Sequence, residues 1–324
     1  MQEPEVNMLK KGTLNKIILA VDMSDSSNLP TKSVWKMFDG MLDELKAKVD
    51  AVHILQYPKK LLLDQELVNG AKKELKQFMD RTGLVNCSEL NVLPGSASLS
   101  ESINVLLKYS DAKKAKMIAV VSHGRRWMVR FVMGSFAEAL LSRSEIPILF
   151  LSKKNVVKSR RTLFLTDFSK PSLIAYRQFL DQFSDFKPDL IIYHALPPLY
   201  EFSGMMETYP TESRKYADQQ INELVELAEK QGYSVSGIVD ENVLDIPKAI
   251  GKKIKSEKVS MIAYSSIAKR YGVAFVGNVA KRLFRLENVN KWVSGPASIN
   301  KLLKTGKKQK LIKHKKERLV EARA

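Results

Sequence analysis

Short unbroken apolar runs alternate along the chain with stretches whose apolar residues recur every three or four positions. "KIILAV" (16–21) predicts a strand buried on both faces, because it leaves no side for water. Behind it, Val34, Met37, Phe38, Met41, Leu42 and Leu45 step by three and four and predict one face of a helix. "AVHILQY" (51–57) predicts the second strand, and Leu67, Val68, Ala71, Leu75, Phe78 and Met79 the next helix. "ELNVL" is a short strand, and Ser98 and Glu101 have the spacing of a capping box ahead of Ile103, Leu106 and Leu107. "MIAVVS" from 117, a helix opening at Gly134-Ser135 and the strand "IPILFLS" complete the series. Strands alternating with helices in this way predict a parallel sheet covered on both faces, in a domain of about 150 residues, an ordinary size.

The second half repeats the plan. "LFLTDFS" (163–169) answers "ILAVDMS" (18–24), so Asp167 stands for Asp22, and "IIYHALP" (191–197) answers "AVHILQY" with His194 for His53. "MIAY" at 261 answers "MIAV" at 117, and "GNVAKRLFRLE" at 277 answers "GSFAEALLSRS" at 134. Matches in the same order point to an internal duplication. The expected fold is α/β: two tandem doubly wound, Rossmann-like domains, each a five-stranded parallel sheet with helices on both faces. They are placed at residues 1–155 and 160–298, joined by the polar stretch "SKKNVVKSRR" and followed by a basic tail over 299–324. "IPILFLS" is fully apolar, whereas its counterpart "NVNKWVS" is short and polar. The halves are therefore expected to embrace through the first copy's edge strand, as a monomer with pseudo-dimeric domains or as a homodimer.

Composition narrows the class. The 324 residues are 44% hydrophobic and 27% charged, enough to bury real cores. Cys87 is the only cysteine, so no disulfide forms within the chain, and with no basic neighbour the thiol is expected to be inert. No apolar run is long enough for a membrane span and the amino terminus lacks the pattern of a signal peptide, which together predict a soluble, cytoplasmic protein. The formal net charge is +18, unevenly placed: from Lys301 to Ala324 there are eight Lys and two Arg against Glu317 and Glu321, a net of +8.

The chemistry gathers where ligands bind in such sheets, beyond the carboxyl ends of the strands at the reversal of strand order. Asp22 ends the first strand and Ser122-His123-Gly124 follows the fourth. Gly124 lets backbone approach a phosphate, and Gly134 and Ser135 open a helix whose free N–H groups attract anions. Arg125, Arg126 and Arg130 add positive charge.

On these residues the chain resembles a tandem universal stress protein. The family motif, Gly-two residues-Gly-nine residues-Gly-Ser/Thr, is met at Gly124, Gly134 and Ser135 and departed from at Val121, and "TDFSKPS" at 166 is similar to the family's first strand and turn. The resemblance implies stress-associated binding of an adenine nucleotide, ATP or AMP, as a regulatory ligand. Asp22 and Ile54 would contact the base, Val120 would lie beside it, and Gly124, Gly134, Ser135 and Phe136 would hold ribose and phosphates. Val121 is β-branched and is expected to narrow the nucleotide's path. The second copy has no glycine between Ser260 and Tyr271 and reads Gly277-Asn278 in place of Gly-Ser, so it is expected to bind no nucleotide.

Plainer roles stand beside these. Asp22 either contacts a ligand or caps its turn, and Asp167 is expected to cap. His53 and His194, at matching positions, are expected in the core; His123 is expected to donate to backbone; Trp127, Met128, Phe131, Val132 and Met133 are expected in core or interface. The sequence has no catalytic triad order and no metal-ligand spacing, so neither a catalytic nor a metal site is expected. The tail, Lys301 to Ala324, is either solubilising or a recruiter of nucleic acid or an acidic protein, which leaves a nucleotide-free interaction scaffold as the alternative function.

Overall fold

The computed structural model describes residues 16–23, 30–55, 65–95, 98–121, 135–153, 159–198, 209–270, 273–286 and 288–305. The first half runs β1 (Lys16–Ala20), α1 (Lys32–Glu44), β2 (Lys48–Leu55), α2 (Gln65–Thr82), β3 (Cys87–Pro94), α3 (Leu99–Ala112), β4 (Met117–Val121), α4 (Ser135–Arg143) and β5 (Ile148–Leu151). The second runs β6 (Thr162–Leu165), α5 (Lys170–Gln182), β7 (Leu190–Ala195), α6 (Tyr209–Glu229), β8 (Val235–Asp240), α7 (Ile246–Ser256), β9 (Met261–Ser265), β10 (Ile267–Arg270), β11 (Val273–Val276), α8 (Asn278–Leu283) and β12 (Asn290–Ser294). The hairpin β10–β11 has no counterpart among the described elements of the first half.

One ten-stranded sheet runs through both halves in the order β3-β2-β1-β4-β5-β12-β9-β6-β7-β8. Within each half the strands are parallel, and the order is that of a doubly wound domain. Strand alternation sends residues to two cores. Ile17, Leu19, Ala119 and Leu149 pack with α1, α2, α5 and α6, and Ile18, Ile118, Ile148 and Phe150 with α3, α4, α7 and α8.

The halves meet through both fifth strands. β12 lies antiparallel to β5, pairing Trp292 with Leu149 and Val293 with Ile148. The polar strand "NKWVS" is nonetheless buried throughout, because its polar groups have partners. Asn290 accepts from the Ser152 N–H at 2.9 Å, Lys291 Nζ donates to the Val289 carbonyl at 3.1 Å and the Ser294 hydroxyl donates to Gln178 Oε1 at 2.7 Å. A polar strand can therefore be an inner one, which hydropathy alone does not reveal. Phe150 and Phe284 meet edge to face at 4.8 Å, and Lys281 of α8 pairs with Glu138 of α4 at 2.6 Å.

Gly295, just past β12, marks a close approach between the halves. A Cβ there would lie 2.0 Å from the Leu141 carbonyl oxygen of α4. Gly295→Ala must push backbone from backbone, and we expect a loss of about 1–3 kcal/mol, read as a lower denaturant midpoint at unchanged slope.

After β12 a closing helix covers 296–305 and buries Ser298 and Ile299 completely. It begins ahead of residue 299, so the basic segment starts as part of the packed structure, with Lys301 paired to Glu145 at 2.9 Å. Residues 306–324 lie outside the described residues.

Candidate functional site

The reversal of strand order in the first half falls between β1 and β4. α1, which follows β1, covers one face and α4, which follows β4, covers the other. A crevice at the strand ends is the consequence. Its last rung joins Ala20 to Val120 on one side and to Val52 on the other. Ala20, Ile54, Val120 and Phe136 all lie on the α3–α4 face, packed against its core while staying partly exposed. They form a partly exposed apolar wall.

Backbone geometry beyond the rung is fixed by β2. The Val21 N–H donates to the Val52 carbonyl at 2.8 Å, and His53 Nδ1 lies 3.0 Å from the Val21 carbonyl. A carbonyl only accepts, so Nδ1 carries the proton. Both main-chain groups of Val21 are thus pinned, which sets the direction in which half-buried Asp22 leaves the sheet. His53 is a positioning residue of the strand end.

Val121 corrects an expectation. Its side chain is 4% exposed and belongs to the core on the α1 face, the side away from Ala20, Ile54 and Val120. The period of two along β4 sends Val120 toward the crevice and Val121 away from it. Its β-branched side chain does not narrow that wall.

Ser135 is the first residue of the nine-residue α4, and Phe136 is the next. Glu138 stands in the first turn of that helix, where Lys281 pairs with it. Gly124, Gly134, His123, the three arginines and the stretch Trp127 to Met133 lie outside the described residues.

The second half keeps the frame and fills the space. Thr166 N–H donates to the Tyr193 carbonyl at 3.0 Å and His194 Nδ1 donates to the Thr166 carbonyl at 2.8 Å, repeating the pin. Burial lowers the pKa of His194, whose ring packs 4.2 Å from that of Phe168. Asp167 accepts from the Ser169 N–H at 3.0 Å, so it caps its turn, and Ser169 in turn caps α5. The rung equivalent to Ala20, Val52 and Val120 is Leu165, Tyr193 and Tyr264. These three are 9%, 1% and 3% exposed. The Tyr193 hydroxyl donates to Asp240 Oδ2 at 2.9 Å, while the Tyr264 hydroxyl is buried without a hydrogen-bond partner among the described residues. Where the first half has its glycine segment, the second has the hairpin β10–β11, closed by a 2.9 Å bond from the Gly277 N–H to the Ser266 carbonyl. The growth of this rung was open to the sequence, since aligning the repeats sets tyrosine against valine twice.

Elsewhere, a cavity of about 380 Å³ opens on the α1 face between α1 and the linker, and no candidate residue lines it. Burial raises the pKa of the Cys87 thiol, which therefore keeps its proton. Among the described residues no group of three His, Cys, Asp or Glu could hold a metal ion, and no helix is long and apolar enough to cross a membrane.

Residues 13–152 match the universal stress protein family model, over the strands and helices that form this crevice. By that match the first half belongs to the universal stress protein family. A universal stress protein from Archaeoglobus fulgidus DSM 4304 shares the fold at a TM-score of 0.59 and 18% identity, covering 88% of this chain and 98% of its own. A protein of unknown function from Pseudomonas aeruginosa PAO1 has a TM-score of 0.58 at 11% identity, covering 91% and 98%. Both span the two halves, so the likeness of fold extends over the second half as well. No curated protein sequence matches the chain.

Proposed function

We propose that the first half of this universal stress protein binds one adenine nucleotide, ATP or AMP, as a regulatory ligand, and that the second half binds none. The observation behind the reading is the contrast at one rung. Ala20 and Val120 remain partly exposed at the crevice, whereas Leu165 and Tyr264 close the equivalent place. An apolar wall beside a strand-end carboxylate suits a purine ring and its polar edge. In this reading Ile54, Val120 and Asp22 face the base, and Gly124, Gly134, Ser135 and Phe136 hold ribose and phosphates.

Pairing of Glu138 with Lys281 supports the phosphate side of the reading, because an unpaired carboxylate in the first turn of α4 would repel an anion at that helix end. In this reading the nucleotide is bound as a regulator and is not turned over. Residues 1–155 and 160–298 would then be an active domain and a filled one. Calorimetric titration with ATP and with AMP tests the proposal. Saturable heat with at least one of them is expected; a flat titration with both would overturn it and leave a nucleotide-free scaffold as the function.

A further inference from the structure

We infer that α7, in the second half, carries a docking surface for the phosphate backbone of double-stranded nucleic acid. The helix buries Pro247 and Ile250 toward the sheet. Lys248, Lys252 and Lys255 follow one another at i, i+4 and i+7, and all three are exposed. At 3.6 residues per turn they lie within about 60° of each other, in a line about 10 Å long. Lys258, just past the helix, and Arg285, just past α8, are exposed too, and α8 packs against α7.

None of these five cations forms an ion pair among the described residues, and two described carboxylates beside α7 are already engaged. Asp245 pairs with Arg282 at 2.6 Å and caps α7 by accepting from the Lys248 N–H, and Glu257 pairs with Arg161 at 3.7 Å. The line is not a general property of the fold. α3 is the counterpart of α7, and each is followed by a lysine in the left-handed region, Lys114 at φ 53° and Lys258 at φ 52°. In that alignment Lys248, Lys252 and Lys255 stand where the first half has Asn104, Lys108 and Asp111. Asn104 is held by Arg143 and Asp111 is acidic, so of the two helices only α7 presents an unbroken basic line.

The chemistry of the line selects its partner. Flexible cations repeated along a rigid helix suit a regular polyanion, and a DNA duplex carries one charge per about 1.7 Å of its axis. α7 has no aromatic residue to stack on unpaired bases, which argues for a duplex over a single strand. Lysines on phosphates carry no sequence preference. An anionic membrane would ask for an apolar row beside the cations, and here the exposed large apolar residues are Leu244 before α7 and Val279 on α8, one on each element. The closing helix, on which the basic terminal segment begins, buries Ile299 in the core of the opposite sheet face from α7.

The test uses the full chain, a fluorescent DNA duplex of arbitrary sequence and two triple variants. One is Lys248→Gln, Lys252→Gln and Lys255→Gln. The other, Lys72→Gln, Lys73→Gln and Lys76→Gln, removes the same charge from exposed positions of α2 on the other face. With folding confirmed by circular dichroism, the α7 variant is expected to bind at least about tenfold more weakly at low salt. Its slope of log affinity against log salt should be shallower by about 2–3, while the α2 variant stays within about twofold of the native protein. Two results would overturn the inference: no duplex binding by the native protein, with or without binding to phosphatidylserine vesicles that the α7 variant loses, or equal losses of duplex binding in both variants.

Discussion

Val120→Tyr is expected to abolish nucleotide binding while leaving the protein folded. Val120 sits on the last rung between β1 and β4, paired with Ala20 and partly exposed at the crevice. At the same rung the second half carries Tyr264, 3% exposed, with its ring 6.3 Å from that of Phe284. The fold thus already accommodates a tyrosine there, between the sheet and the helix that follows. In the first half the ring would occupy the place proposed for the base, and a site whose volume is taken loses its ligand whatever its polar groups offer. The variant should keep the native far-ultraviolet circular dichroism and give no saturable heat at nucleotide concentrations that saturate the native protein. Undiminished affinity would mean that the base does not lie against this rung.

Val121→Gly, one residue further, is expected to do the opposite: to cost stability and leave affinity alone. The valine is buried in the core built on α1 and faces away from the crevice. Removing it opens a cavity and frees the backbone, together worth about 2–4 kcal/mol of unfolding free energy. The denaturant midpoint should fall with little change in slope. Tighter nucleotide binding by the variant would restore the idea that Val121 obstructs the ligand.

The contrast between these neighbours marks how far the sequence carries. Unbroken runs such as "KIILAV" announce buried strands, and the matched order of "ILAVDMS" and "LFLTDFS" announces the repeat, because both signals depend on local pattern. The motif does not say toward which face Val121 points; that follows from the register of β4 against β1 and β5. "NVNKWVS" looks like an edge strand by hydropathy, yet it is central, since the hydrogen bonds that make its burial tolerable come from Ser152, Val289 and Gln178, two of them distant in sequence. His53 and His194 were legible as a matched pair, but their shared task of pinning the carbonyl before an aspartate appears only once β2 lies beside β1 and β7 beside β6. The missing glycines of the second crevice were legible in the sequence. Its filling by Leu165, Tyr193 and Tyr264 comes from three segments of the chain that meet on one rung.

The central claim is that two halves of one fold differ at the place of the ligand, an open crevice in the first and a filled one in the second. The number of nucleotides bound per chain tests it most directly. Titration calorimetry of the native protein at a concentration well above the dissociation constant should give a stoichiometry of one, with ATP or with AMP. A stoichiometry of two would contradict the account, because it would require a ligand in the space that Tyr193 and Tyr264 now close.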